Sequence, residues 1–305
     1  MADQVTVGGI TVGLSHLDKV FFPDDKITKG DVVAHYQAVA GRMLPYLKDR
    51  PVTMARYPDG ITGHRIIQKN VPDYFPDWIT RATVPKEGGT LQHVICDQPA
   101  TLVYLANQGC VELHVFLSRT GQLEHPDQIV IDLDPPSAGG FDVARRCALW
   151  LKQLIEDELG ATAYVKTTGG KGLHVHLPLD RRADFDQGRE FALDLAGLLA
   201  ARHPDELTTE QRKASRGSRL YLDVMRNSYA QLVVAPYAVR ARRGAAVATP
   251  LHWDEVADRK LDPAAFSLRT IGDRLASAGD PWAGMSRHRY GLAGLRQRLD
   301  RARAA

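Results

Sequence analysis

Cysteine is scarce: Cys96, Cys110 and Cys147 are the only three in 305 residues, and no two of them form a CxxC pair. An odd, widely spaced set suggests neither a disulfide framework nor a cysteine zinc site, and reads as small buried thiols. No stretch reaches the roughly 20 uninterrupted apolar residues that a membrane-spanning helix needs. The opening MADQVTVGG also lacks the basic-then-apolar order of a secretory signal. These absences predict a soluble, cytoplasmic protein. Neither sign of charge dominates, with 39 basic against 36 acidic residues, so the total permits polyanion binding without requiring it. Internal repeats, low-complexity blocks and linkers are missing too, and a single compact unit is the simplest expectation. The 44% of hydrophobic residues is enough to bury a core and argues against disorder.

What is present is organised. Basic residues gather at Arg212, Lys213, Arg216 and Arg219, at Arg240, Arg242 and Arg243, and along Arg287 to Arg303. Such clusters can neutralise phosphates, with a solvated surface as the alternative. A first helix is predicted from Thr28 as N-cap, with Val32, Val33, Tyr36, Val39, Met43 and Leu44 at helical spacing and an end near Pro45. A second should run from about Asp142 to Leu159, stopped by Gly160, and a third from about Gln187 to Arg202. β-like runs cover 101–105, 111–117, 128–133, 172–177, 219–225 and 231–239. Strand pairs mixed with helices predict an α+β fold, with largely antiparallel sheets flanked by helices. Residues 1–290 would form the main domain and 291–305 a basic, helical tail.

The run QIVIDLDPP, residues 128–136, is an apolar strand ending in two aspartates one residue apart. On a strand, Asp132 and Asp134 project from the same face. Paired carboxylates repel, and a hard divalent cation such as Mg²⁺ or Mn²⁺ relieves them; the alternative is a polar strand end entering a turn. Asp223, in the alternating run RLYLDV, is a third acid on the polar face of a strand. Three carboxylates are what two-metal nucleotidyl transfer needs, one ion activating a 3′-hydroxyl and the other gripping the triphosphate. A glycine-rich turn in KTTGGKGLHVHLPL carries Thr168 and Lys171 before a strand presenting His174 and His176. It is not a Walker loop, yet backbone amides around Gly169, Gly170 and Gly172 can cradle phosphate by the same physics. His174 and His176 also have the HxH spacing of zinc ligands. His114 reads either as a core histidine or as a ligand.

Taken together, LSHLDKVFFPDDKITKGDV, RPVTMARYPDG, QKN, ELHVF, VIDLDPP, TTGGKGLHVHLPL, YLDVMRNSYAQLVVAPYAVRARRGA and GDPWAGM resemble the polymerase domain of bacterial DNA ligase D. That domain is a member of the archaeo-eukaryotic primase superfamily acting in non-homologous end joining. The resemblance runs in order from about Leu14 to Met285, and the chain reads as a stand-alone relative or an excised domain. It implies a primase-polymerase core that adds nucleotides, ribonucleotides preferred, to DNA 3′ ends at gaps and breaks. Asp132, Asp134 and Asp223 are then the catalytic acids holding two Mn²⁺ or Mg²⁺ ions. His114, Thr168, Lys171, His174, Arg216 and Arg240 fall where the family contacts the incoming NTP or dNTP. Lys19 and Lys29 fall where it recognises a 5′-phosphate, the alternative being solvated charge. Arg56, Ile66, Ile67, Lys69 and Asn70 fall in the region that meets template DNA. A Ku-type end-binding protein and a DNA ligase are the implied partners, with a monomeric, nucleoid-associated chain and no membrane.

Two departures stand out. Ile66 and Ile67 occupy positions where relatives commonly carry aromatics, and Ala55 stands where they often have a lysine. The isoleucines either face DNA or belong to the core. Two other readings remain at this level: a DxD nucleotide-sugar transferase, which leaves Asp223 unexplained, and a non-catalytic end-binding scaffold.

Overall fold

In the computed structural model, which describes residues 3–136 and 140–304, the first long helix begins where Thr28 predicts. The Thr28 side chain accepts from the Asp31 amide and the Asp31 carboxylate accepts from the Thr28 amide, a reciprocal cap. The helix Lys29–Leu47 buries Val32, Val33, Tyr36, Val39 and Met43. It runs past Pro45, because a proline in the last turn removes one backbone donor while Lys48 N–H still reaches the Leu44 carbonyl at 2.9 Å. The expected strand at 101–105 is instead a helix, Pro99–Asn107. Nearly all of it is buried, so it reads as an uninterrupted apolar run that strand and helix share, and Pro99 in the first turn settles the choice.

By backbone contacts the chain divides into two units that interleave in sequence, which is why no linker announces them. The first comprises Met1–Thr120, Leu232–Thr249 and Ala264–Gly279; the second comprises Gly121–Gln231, Pro250–Pro263 and Asp280–Ala305. In the first, five strands are ordered Leu232–Val234, Cys110–Phe116, Pro51–Arg56, Gly89–Ile95 and Arg81–Lys86, with Ile66–Gln68 also paired to Pro51–Arg56. All of these pairings are antiparallel. The expected strand 231–239 is cut to Leu232–Val234, since Tyr237 takes a left-handed backbone at φ 65° and leaves the ladder.

In the second unit six strands are ordered Leu207–Thr208, Leu220–Asp223, Gln128–Asp134, Leu173–Pro178, Tyr164–Thr167 and Pro250–Leu251. Only the first pair is parallel. One face is apolar, with Ile131, Leu133, Leu173, Val175, Leu220 and Leu222 all buried. The helices Phe141–Gln153 and Phe185–Arg202 pack against the central strand. The first of these ends in a π turn, Leu154–Glu158, before Gly160 at φ 58°. The last helix, Leu292–Ala304, buries Leu295 and Leu299. Arg296 and Arg303 of this basic segment bind Asp194 at 2.7 and 3.0 Å, and Arg298 donates to the Leu159 carbonyl. Cys96, Cys110 and Cys147 are buried free thiols. No described helix is long and apolar enough to cross a membrane.

Candidate active site and nucleic-acid interface

Register assembles the acids. Asp132 sits on the central strand of the second unit, with Asp223 directly opposite it on one side and His174 directly opposite on the other. Asp134, two residues on, shares that face and stands opposite Tyr221. The three carboxylates expected from sequence therefore lie on one face, set by backbone pairing rather than by chance approach. His174 Nε2 lies 3.5 Å from Asp132 Oδ2, and Lys171 Nζ lies 3.2 Å from Asp134 Oδ1. Asp223 accepts from the Met225 amide at 2.9 Å.

The two facing acids differ electrically. Burial works against the Asp132 carboxylate, but His174, Arg226 and Lys166 outweigh it and hold its pKa below the ordinary aspartate value. Burial, with the Asp132 charge adding to it, raises the Asp223 pKa despite the Met225 amide. Burial lowers the His174 pKa to about 4, so this imidazole is neutral at pH 7. Carboxylates in this number are hard oxygen donors of the right type and charge for a divalent cation, and the repulsion borne by Asp223 is the load such an ion relieves. Lys171 and His174 attend these carboxylates, and among the described residues no three His, Cys, Asp or Glu gather into a metal-ligand group. The HxH zinc reading fares worse, because His176 Nδ1 is 2.8 Å from Gln128 Oε1 and its ring packs on Trp282.

The glycine-rich turn is pinned to the same strand. A Cβ on Gly172 would lie 2.3 Å from the Leu133 carbonyl oxygen, a distance no side chain tolerates. The Thr168 amide and hydroxyl both donate to the Gly172 carbonyl, at 3.1 and 3.2 Å, closing the turn on itself. Lys171 donates to the Pro135 carbonyl at 2.7 Å. Arg216 joins this face: its guanidinium stacks 3.8 Å over the Tyr221 ring while it donates to the Glu210 and Gln211 carbonyls. Tyr221 was invisible as a site residue in the sequence, where it is one more alternating side chain.

In the first unit, His114 and Arg240 meet on one buried carboxylate. Glu112 Oε2 lies 3.0 Å from His114 Nε2, and Glu112 Oε1 accepts from Arg240 Nε at 3.0 Å and from the Ala241 amide at 2.9 Å. Burial opposes the charge, yet these partners drive the Glu112 pKa far below the carboxylate range. Sequence reasoning missed Glu112, although the E-x-H spacing on a strand puts it on the same face as His114.

Elsewhere in the same unit, Lys19 and Lys29 flank the hairpin Val20–Phe22/Ile27–Thr28, and the Lys29 amide donates to the Lys19 carbonyl at 2.8 Å. Lys19 Nζ is 2.7 Å from Asp59. Lys29 is buried and donates to the Ser15 carbonyl, and burial together with the Lys19 charge lowers its pKa to about 8. Arg56 donates to Gln68, Tyr74 and the Gln108 carbonyl. Ile66 and Ile67 are 38% and 47% exposed, which removes the reading that they are core residues. Lys69 is exposed, while the Asn70 side chain accepts from the Gln92 amide at 2.8 Å. Ala55, paired with Ile67 and Glu112, is fully buried.

The family model for the LigD primase-polymerase domain matches residues 28–282. The chain belongs to the LigD primase-polymerase family. It is 37% identical over 267 residues to the bifunctional non-homologous end joining protein LigD of Bacillus subtilis, covering 87% of this chain and 43% of that protein. It is 31% identical over 303 residues to the multifunctional LigD of Pseudomonas aeruginosa, covering 99% of this chain and 35% of that one. The chain thus spans less than half the length of these LigD relatives. Among solved structures it is similar to the polymerase domain of Mycobacterium tuberculosis ligase D in complex with DNA. There the TM-score is 0.83 at 30% identity, with 89% of this chain and 96% of that one covered. The α+β class with antiparallel sheets is that of the LigD polymerase domain.

Proposed function

We propose that this chain performs template-directed nucleotidyl transfer, adding nucleotides, ribonucleotides preferred, to DNA 3′ ends at gaps and breaks in non-homologous end joining. The observation that carries this reading is the register of Asp132 with Asp223 beside Asp134. Membership in the LigD primase-polymerase family supports it. Asp132, Asp134 and Asp223 would hold two Mn²⁺ or Mg²⁺ ions, which supply charge neutralisation at the reacting phosphate. In the second unit Thr168, Lys171, His174 and Arg216 bind the nucleotide and its phosphates. Arg216 is oriented by Tyr221, and His174 is a neutral donor at pH 7. In the first unit His114 and Arg240 carry the same assignment, presented by Glu112. Catalysis of this kind is mostly positioning and electrostatics, so the groups that aim these side chains matter as much as the side chains.

Lys19 and Lys29 recognise a 5′-phosphate, and Arg56, Ile66, Ile67, Lys69 and Asn70 engage template DNA. A Ku-type end-binding protein and a DNA ligase act with the chain at the nucleoid. The test is primer extension on gapped DNA bearing a 5′-phosphate, with Mn²⁺ or Mg²⁺ and each nucleotide class. Templated extension that is faster with NTPs than with dNTPs is the expected result. Binding to gapped DNA without extension under either metal would instead mark an end-binding scaffold.

A further inference from the structure

Tyr74 leaves 61% of its surface exposed, an unusual state for an aromatic side chain that is also held firmly in place. Its hydroxyl accepts from Arg56 Nη1 at 2.9 Å, and the same nitrogen donates to Gln68 Oε1 at 2.6 Å. Its ring meets Phe75 edge to face, with centroids 5.3 Å apart. Phe75 is itself buried and packs edge to face on Tyr104 at 5.0 Å. The ring is therefore fixed at its hydroxyl and braced along one side, while most of its surface stays open.

Arg56 joins Tyr74 to the short strand Ile66–Gln68, whose two isoleucines are also exposed. Exposed Arg65 and Lys69 flank that strand, against one acid, Asp73, in residues 64–75. By register Ile66 shares the face of Arg56 and Gln68, whereas Ile67 points the other way. A braced, open aromatic tied to that face, in a segment whose charges are mostly basic, matches one ligand chemistry: a flat, uncharged ring on an anionic backbone.

We propose that Tyr74 is a stacking platform for an unpaired DNA base, with Arg56 as the positioning residue that fixes its ring. This rests on the DNA-binding reading above and extends it to a residue outside the expected template set. The ring supplies base-face contact that does not depend on sequence, and the exposed basic side chains of the same segment add favourable charge for a nucleic-acid backbone.

The experiment compares the full chain with Tyr74→Ala and Tyr74→Phe on three DNAs: a gap with unpaired template bases, the same gap with those nucleotides abasic, and blunt duplex. Tyr74→Ala is expected to weaken binding to the base-bearing gap about fivefold or more. Tyr74→Phe, which keeps the ring but loses the hydroxyl that Arg56 holds, is expected to fall between wild type and Tyr74→Ala. On the abasic gap and the duplex all three proteins bind alike, which separates lost stacking from any loss of stability caused by removing the Arg56 and Phe75 contacts. Equal weakening by Tyr74→Ala on the base-bearing and abasic gaps would overturn the proposal, and so would no weakening at all. If the wild-type chain extends primers while Tyr74→Ala binds as well as it does, the platform fails and the polymerase reading stands. Should the wild-type chain bind none of the three DNAs, both fall.

Discussion

Glu112 in the first unit and Asp132 in the second are both shielded carboxylates on sheet strands, and each has a histidine beside it. Their surroundings differ in one respect. Glu112 is satisfied on both oxygens, by Arg240, by the Ala241 amide and by His114. Asp132 has His174 at 3.5 Å and a second acid, Asp223, directly across the ladder. The first is a closed charge network, in which one anion organises two groups of opposite character. The second sets like charges opposite one another, an arrangement that costs stability and that, on the proposed reading, a bound cation would relieve. Breaking the first should cost folding, and breaking the second should cost chemistry.

The largest expected effect follows from the second half of that contrast. Asp132→Ala, Asp134→Ala and Asp223→Ala should each lower extension about 100-fold or more, while binding of gapped DNA is kept or slightly tightened. Extension and binding assays on the same preparations check this. Near-normal turnover by any one of the three at saturating Mn²⁺ removes that acid from the site. Asp223→Asn should also raise the melting temperature, since it deletes a charge that burial and Asp132 both disfavour.

The next effect is on stability. Glu112→Gln removes the buried anion shared by His114, Arg240 and the Ala241 amide and should cost about 1–3 kcal/mol by denaturant unfolding. The pH dependence sharpens the contrast. The Glu112 pKa is depressed in the folded state, so its contribution is present above the unfolded value near 4.5 and is lost as pH falls below it. The Asp223 pKa is raised, so its penalty fades as pH falls through the carboxylate range. In acid, Glu112→Gln should flatten the stability profile, whereas Asp223→Asn should steepen it. Identical profiles for the two variants would erase the distinction between the sites.

Cations extend the same test at smaller amplitude. Lys29→Ala and Lys19→Ala should each weaken binding to a gap bearing a 5′-phosphate about tenfold, with little change on the unphosphorylated gap. The Lys29 pKa is lowered to about 8, so affinity for the phosphorylated gap should also fall as pH rises past 8. Lys29→Arg should hold it steady, because a guanidinium keeps its proton there. Equal losses on both gaps would make these lysines general backbone contacts. Smallest of all is Ile67→Phe. The side chain is exposed, so the melting temperature should stay put while affinity for templated gaps rises a few-fold relative to blunt duplex. A lower midpoint without tighter binding would sink that account.

Much of this site was legible as residue types on strands. The DxD spacing, the Asp223 alternation and the turn with Lys171 each carry local signals that period 2 and glycine chemistry make readable. The opposition of Asp132 and Asp223 was not, because register is a property of two strands 91 residues apart in sequence. Glu112 escaped because one acid in an alternating run looks like ordinary polarity until its partners, one of them 128 residues on, are in place. The helix Pro99–Asn107 was misread for a simpler reason: burial on nearly every side erases the periodicity that separates the two kinds of element. Tyr74 carried no pattern at all, since its exposure depends on a fold that braces the ring and leaves its face bare.

Gly172 bears on how the second site tolerates change. Because its α-carbon lies against the Leu133 carbonyl, two stretches of main chain meet with nothing between them, and the spacing of Lys171 from Asp134 is gauged by backbone thickness. Any other residue at this point would act as a shim. Bringing a Cβ from 2.3 Å out to ordinary contact requires the turn to retreat by about 1 Å, a displacement of the scale that misaligns reacting groups. The alignment is thus a dimension of the framework, which side-chain changes elsewhere in the turn leave untouched.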